Sequence, residues 1–464
     1  MTELHELAAT DLVAAYRAKT LSPVAVMDDV IARVAAWEPH IKALYLYEPD
    51  KARALAKQSE ARWQAGAPQG ALDGVPVTIK DNIATQGQPV PLGTACLPLT
   101  PAAEDAPPAA RLREAGAIIF SKTTMPDFGM LSSGLSSFHP LTRNPWDLRM
   151  NPGGSSSGAG AAAAAGYGPL HLGTDIGGSV RLPACWCGIF ALKPSLGRVP
   201  IDPPYVGRCA GPMTRTVADA ALMMGVLAQP DARDPMSLPP ADIDWTALDA
   251  SPRGKRFGLM LDLGAGLPLD SQVRKVVTAA AHAFAAAGAS VVEVPSIVTD
   301  AILRGLDTFF KARSWADVAP MPPAMRDKML PHIRTWAESG EALSGADALR
   351  GFNATMTIRT AAARLFRDID YLISPVSPVV NFPAEHAAPN NDPQHGLDHI
   401  GYTVTWNMSE QPAAAINGGT SGDGFPIGVQ IVGRRFDDLG VLQMAKAFET
   451  MRGPQKGWPE PPAS

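Results

Sequence analysis

The sequence predicts an α/β fold, and three patterns carry the prediction. Helical periodicity over 107–115 leads directly into the apolar run Gly116-Ala117-Ile118-Ile119-Phe120. The alternation returns as a strand over 256–263, a helix over 271–287 and a strand over 290–294. Near the end, Ala413-Ala414-Ala415-Ile416 and the apolar segment 427–432 flank Asp423-Gly424, a dipeptide suited to a hairpin turn. Helices and strands interleaved in this way pack as α/β layers. With 464 residues the chain is long enough for one large domain, and a single domain over 1–464 is expected.

The N-terminal segment, 1–63, is expected to form a helical layer. Ser22 is a good N-cap and Pro23 suits the first helical position. Val26, Val30, Val34 and Trp37 then recur at three- and four-residue spacing and mark one buried face; a second helix is expected over 50–63. After the turn Leu72-Asp73-Gly74, the alternation of Val75, Val77 and Ile79 predicts a strand that turns Thr78 and Lys80 to its other face. Taken alone, a lysine ending an apolar strand is a solvated strand end. The loop over 123–147 carries Met125, Phe128, Met130 and Leu131, which fit a pocket wall or plain core packing. Next comes an Ala run expected to be a buried helix, since Ala loses no side-chain entropy and lets backbones approach closely.

Beyond it, 188–194 continues the fold and a helix is expected over 217–227. Pro- and Asp-rich 229–252 should be a surface excursion. The stretch 300–366 is mainly helical, interrupted at Pro320-Met321-Pro322-Pro323, and is followed by a strand over 371–374 and a polar loop over 386–399. A last helix spans 439–450, and the Pro-rich tail 453–464 is expected to be flexible. No internal repeat is visible.

Composition narrows the function. The net charge is −5 with no block of Lys or Arg, which argues against nucleic acid or an anionic membrane as partner. The four cysteines, Cys96, Cys185, Cys187 and Cys209, form no CxxC pair and read as reduced thiols of a cytoplasmic protein. The opening MTELHELAATD is no signal peptide, and no run approaches the roughly 20 apolar residues that span a bilayer. The histidines show no helical pair with metal-ligand spacing, so neither a metal nor a cofactor is expected.

Chemistry concentrates in NPGGSSSGAGAAAAAGYGPLHLGTDIGGSVR, residues 151–181. Two Gly-Ser turns flank the Ala helix, and glycines beside a serine permit tight turns and leave backbone N–H groups bare toward a ligand oxygen. Phosphate cradling fails, because neither GxxxxGK[ST] nor GxGxxG is present. Gly154-Ser155-Ser156-Ser157-Gly158 formally matches GxSxG and would make Ser156 an esterase nucleophile, yet Pro145 and Pro152 sit where that elbow needs a strand. The third reading is a serine–serine–lysine site. The N–H groups of Ile176, Gly177, Gly178 and Ser179 can converge on one oxygen. Ser179 needs a base to become a nucleophile. Lys80 can serve once burial has made it neutral, with Ser155 passing the proton.

These segments resemble the amidase signature family. The likeness is carried by GVPVTIKDNI (74–83), TRNPWD (142–147), PGGSSSGAG (152–160), LGTDIGGSVRLPA (172–184), ALKPSLGRVP (191–200), GPMTRTVADAALMM (211–224) and, more loosely, GFPIGVQIVGRRFDD (424–438). It is closest over 72–227. The resemblance implies a mixed central β-sheet covered by helices on both faces, a cis peptide bond before Ser155, and a triad of Lys80, Ser155 and Ser179. It implies an oxyanion hole at the N–H groups of 176–179, substrate contacts at Gly129, Met130, Leu131 and Ser155, and supporting roles for Ser156, Asp175 and Arg181. The activity implied is hydrolysis of a small carboxylic amide through an acyl-enzyme, without cofactor. Alternatives are the glutaminase component of glutamyl-tRNA amidotransferase (its A chain), releasing ammonia from glutamine, and the GxSxG-type esterase. A small amide is the expected ligand, and a homodimer is left open.

Overall fold

A computed structural model describes residues 3–453 and 455–462. In chain order, helices α1 (Ala9–Arg17) and α2 (Pro23–Ile41) lead to a short strand β1 (Leu44–Tyr45) and α3 (Pro49–Gln64). Strand β2 (Pro76–Lys80), α4 (Pro107–Glu114) and β3 (Ile118–Thr123) follow, then α5 (Ser157–Ala165), β4 (Leu170–Asp175), α6 (Arg181–Cys187), β5 (Phe190–Lys193), β6 (Cys209–Thr214) and α7 (Val217–Leu227). The second half holds β7 (Arg256–Leu259), α8 (Ser271–Ala286), β8 (Ser290–Glu293), α9 (Asp300–Val318), α10 (Pro323–Arg326), α11 (Pro331–Glu338) and α12 (Gly345–Asp368). It closes with β9 (Tyr371–Pro375), α13 (Gly401–Met408), β10 (Ala413–Thr420), β11 (Pro426–Gly433) and α14 (Asp438–Met451).

The strands form one 11-stranded sheet in the order β1-β3-β2-β4-β6-β5-β10-β11-β9-β7-β8. It is mixed: β2 runs parallel to β3 and β4, and β7 parallel to β8 and β9, while β10 is antiparallel to both β5 and β11. Helices cover both faces, as the two-residue period of the strands requires. On β10, Ala414 and Ile416 pack into a core with α1, α7, α8 and α14, whereas Ala413 and Ala415 pack into a second core with α6, α9, α12 and α13. The N-terminal layer closes a third core, in which Val30, Val34 and Trp37 meet Ala161, Ala162 and Ala165 of α5.

The predicted helices and hairpin are present, with Ser22 capping α2 through bonds from Val24 N and Ala25 N. Several elements have no counterpart in the sequence reading. Strand β1 has only two residues, too few for a pattern. Strand β4 is buried along its whole length and includes His171, Gly173 and Thr174, so alternation is lost. Strand β6 contains Gly211 and Pro212 and looks like a turn in sequence; Pro212 lies opposite Leu172, beyond the short β5–β6 pairing. All eight residues of α13 are buried, which erases the apolar stripe that reveals a helix.

The tail differs from expectation. Its described part folds back on the body: Arg33 donates to Pro459 O and Glu460 Oε2 at 2.8 and 2.7 Å, and the Arg215 guanidinium lies 4.2 Å over the Trp458 ring. Two arginines and an aromatic anchor hold what composition alone marks as loose. Positions 1, 2, 454, 463 and 464, which the expected N-terminal layer and tail include, lie outside the described residues.

Helix α5 sits so close to its neighbours that Gly158 has no room for a side chain. A Cβ there would overlap the Ala43 carbonyl oxygen and the Thr124 backbone nitrogen. Gly158→Ala is therefore expected to destabilise the protein by about 1–3 kcal/mol, the usual cost of overpacking. Gly345→Ala, with nothing near its Cβ, should change stability by no more than about 0.5 kcal/mol. Denaturant unfolding of the two variants beside wild type checks both.

Candidate active site

The parallel pairing of β2 with β4 brings the ends of both strands to one edge. Strand β2 delivers Lys80 and β4 delivers Thr174 and Asp175, just ahead of the second Gly-Ser turn. The first turn lies against it. Gly153 has φ +84°, and a Cβ there would press on Trp186 and Pro183. The Gly154–Ser155 peptide bond is cis. Ser156 stitches the turns together: its N–H donates to Ser179 O at 3.0 Å, and its hydroxyl donates to Thr174 O at 3.2 Å. Fully buried and bound to Thr174, Ser156 makes no hydrogen bond to a histidine among the described residues; His171 is engaged by Thr78 and Gly168 O. This geometry speaks against the esterase reading.

Lys80 is not a solvated strand end. Its side chain is 0% exposed, and Nζ lies 2.8 Å from Ser155 Oγ and 3.1 Å from Thr174 Oγ1. Burial, reinforced by the positive charge of Arg208, holds its proton affinity well below that of an ordinary lysine; Asp175 and Asp81 oppose this without cancelling it. Asp81 also shapes the surroundings, accepting the N–H groups of Leu92 and Gly93 and pairing with buried His139 at 2.8 Å.

Ser155 and Ser179 both line a cavity of about 610 Å³, shared with Met125, Phe128, Gly129 and Met130. The Ser155 hydroxyl is bonded to Lys80, while that of Ser179 has no hydrogen-bond partner among the described residues. Leu131 does not reach the main cavity; it lines, with Gly129, Met130 and Ser179, an adjoining cleft of about 40 Å³.

Asp175 and Arg181 are a buried pair, 1% and 0% exposed, and not a surface ion pair. Arg181 Nε and Nη2 donate to the two Asp175 oxygens at 3.0 and 2.9 Å. Burial pushes the carboxyl's pKa up, but the Arg181 charge outweighs it and holds the group below the usual carboxylate range. Asp175 also accepts the N–H of Gly178 at 2.8 Å and of Val180 at 3.2 Å. Gly178 is thus removed from the expected set of four converging donors, because its N–H points back to the carboxylate. The N–H groups of Ile176, Gly177 and Ser179 have no partner among the described residues. Gly178 takes φ +125° and packs against Thr403, which no side chain at that position would allow.

Four supporting residues escaped the sequence reading: Thr174, Thr403, Asn407 and Gln430. Thr403 Oγ1 donates to Gly177 O, Asn407 Nδ2 to Asp175 Oδ1, and Gln430 Oε1 accepts from Arg181. The available signal was a polar Gln430 inside the apolar strand segment PIGVQIVG. Among the described residues no group of three His, Cys, Asp or Glu side chains is arranged to hold a metal, and no helix is long and apolar enough to cross a membrane.

The amidase family model matches residues 25–442. The chain is 33% identical to the A component of the glutamyl-tRNA(Gln) amidotransferase of Chloroflexus aurantiacus, over 97% of this chain and 98% of that one. It is equally 33% identical to the acylamidase of Rhodococcus erythropolis, over 97% of each. Among solved structures, a bacterial aryl acylamidase of the amidase signature family superposes with a TM-score of 0.89 at 29% identity, covering 97% of both chains. The 6-aminohexanoate cyclic dimer hydrolase superposes with a TM-score of 0.86 at 26% identity, again over 97% of both.

Replacing Asp175 by Asn would leave the Arg181 charge buried without its counter-charge. Asp175→Asn is expected to cost roughly 3–5 kcal/mol, read from denaturant unfolding at pH 7. Because the folded carboxyl titrates below its unfolded value, its contribution is complete above about pH 4 and is lost as pH falls through the lower folded value. The gap between wild type and variant should therefore narrow on acidification.

Proposed function

The chain belongs to the amidase signature family, whose members hydrolyse C–N bonds, and from that premise we propose that it cleaves small carboxylic amides through an acyl-enzyme on Ser179. The observation that carries this reading is the Lys80 amine, desolvated and 2.8 Å from Ser155 Oγ, at the edge of a cavity that Ser179 faces with a free hydroxyl.

In the proposed cycle, neutral Lys80 takes the Ser155 proton while Ser155 takes that of Ser179, and Ser179 Oγ attacks the amide carbonyl carbon. The developing oxyanion is met by the N–H groups of Ile176, Gly177 and Ser179; a donor of this kind is worth roughly 2.7–4 kcal/mol. Ser155 then protonates the departing nitrogen, Lys80 restores the Ser155 proton, and the C–N bond breaks. Water attacks the acyl-enzyme, giving up its proton along the same relay, and Ser179 is released with the carboxylic acid. Gly178 braces the turn through Asp175 instead of binding the oxyanion. Gly129 and Met130, beside Ser155, are assigned to the substrate, with Leu131 beside them in the adjoining cleft that Ser179 also lines.

Met125, Phe128 and Met130 favour alkyl or aryl arms and hence a stand-alone acylamidase. The equal identity to the A component of a glutamyl-tRNA(Gln) amidotransferase supports ammonia release from glutamine as a second reading. Purified chain assayed alone separates them. Amine release from anilides or alkyl amides, with little from glutamine, is expected; activity on glutamine alone would overturn the first reading.

Two further outcomes test the relay. Lys80→Ala should lower turnover about 10²–10⁴-fold while leaving the folded circular dichroism spectrum intact. For wild type, kcat/KM on a neutral amide should rise with pH as Lys80 loses its proton. The plateau should come well below about pH 10.4, where an ordinary lysine titrates. A profile still climbing at that pH would remove Lys80 as the base.

A further inference from the structure

The cavity wall is not apolar all round. Arg208 and Arg313 line it together with Ser155 and Ser179. Arg208 directly precedes β6, whose first residue, Cys209, pairs with Asp175 at the end of β4. It therefore stands beside the turn at 176–179, and its charge reaches Lys80. Arg313 comes from the distant helix α9, and its guanidinium lies 3.7 Å over the Tyr205 ring.

Both side chains are half-buried, and neither has a carboxylate within ion-pair reach among the described residues, although nearby Arg233 and Arg111 share Asp231. Among the described residues Arg208 donates one hydrogen bond, 3.3 Å to Pro203 O, and Arg313 donates none. A guanidinium carries five N–H donors, so most of the donors on this pair are unmatched in a wall that also holds the apolar Leu92, Met125, Phe128, Met321 and Ile333. The two cations also act on each other: burial first, then Arg313, pushes Arg208 down to about 10. Asp202 and Asp317 border the same cavity, but both are exposed, where water and salt screen them more strongly than the half-buried arginines. Asp202 opposes the lowering of Arg208 without pairing with it, so neither guanidinium has a carboxylate in contact among the described residues.

We propose that Arg208 and Arg313 form a subsite for a carboxylate carried by the amide substrate. The preferred substrate then has an acid group on one arm and an apolar arm against Met125, Phe128 and Met130. Planar guanidinium forks match a carboxylate edge to edge, which selects it over a neutral polar group. This inference rests on the amidase reading of the same cavity and narrows it to a class of amide. Because Arg208 also acts on Lys80, a carboxylate bound there would offset the positive charge that weakens the base.

Three anilides differing in charge test the idea: acetanilide, the mono-anilide of succinic acid, with its acid on the acyl arm, and 4-acetamidobenzoate, with its acid on the amine arm. At least one acid should exceed acetanilide roughly 10- to 100-fold in kcat/KM, the range expected for hydrogen bonds to a charged group. Arg313→Gln and Arg208→Gln should each reduce that preference about tenfold or more, mainly through KM, and added salt should weaken it. Arg208→Gln should also move the acid limb of the pH profile upward for every substrate, a change Arg313→Gln should not make. A wild-type enzyme that treats the three alike, or a preference that survives in the double variant, overturns the subsite. Should no anilide be cleaved, the amidase reading fails on its own terms. The subsite is then judged by calorimetry on Ser179→Ala: tighter binding of an acid than of acetanilide, lost in the double variant, upholds it, and equal binding rejects it.

Discussion

The turn at 176–179 rests on one fully satisfied guanidinium. Arg181 spends Nε and one Nη2 proton on Asp175, the other Nη2 proton on Asn407, and its Nη1 protons on Thr403 O and Gln430. Five donors thus meet acceptors on β4, α13 and β11. A buried charge so completely matched is costly to break and tolerates few alternative geometries. Its partner Asp175 turns the same rigidity into backbone order by taking the N–H groups of Gly178 and Val180. The neighbouring N–H groups of Ile176, Gly177 and Ser179 are left without a partner among the described residues.

Against that rigid floor, the Lys80 amine is deliberately under-supported. Its contacts are hydroxyls and a carbonyl, and among the described residues no carboxylate touches it, so the loss of water around a charged ammonium is only partly compensated. Asp175 is near enough to raise its proton affinity but is already claimed by Arg181. The two buried cations of the site have opposite treatments. Arg181 is paired with a carboxylate, whereas Lys80 is bonded only to uncharged oxygens.

The candidate residues were nameable in the sequence while parts of the scaffold were not. Glycines beside a serine drew attention to Ser155 and Ser179, whereas Lys80, which alone reads as a solvated strand end, joined them only beside those serines; the structure puts Lys80 next to Ser155 and both serines on one cavity. Helices α2, α8 and α14 were legible because each buries one face. What stayed hidden was whatever burial made uniform. Strands β4 and β6 and helix α13 have no polar face, and therefore no period, yet they supply Thr174, Thr403 and Asn407. The fate of Gly178 was equally invisible, since nothing in a Gly-Gly-Ser string says which N–H a carboxylate will take. The tail was misjudged on composition, because its anchors Arg33 and Arg215 lie far away in sequence.

The cavity draws on two kinds of chain segment. Its reactive edge comes from 80, 155 and 174–179, within the stretch that most resembles the family, and is held by the Arg181 cluster. Its wall comes from 82–130, from the loop at 202–208 and from α9 to α11. None of the hydrogen bonds to Arg181 comes from α9 to α11 among the described residues, so that part of the wall can change its charge and shape without disturbing the Arg181 cluster. The substrate must be sought in the wall residues that carry charge, and Arg208 and Arg313 are the two cations among them, neither in ion-pair contact with a carboxylate among the described residues.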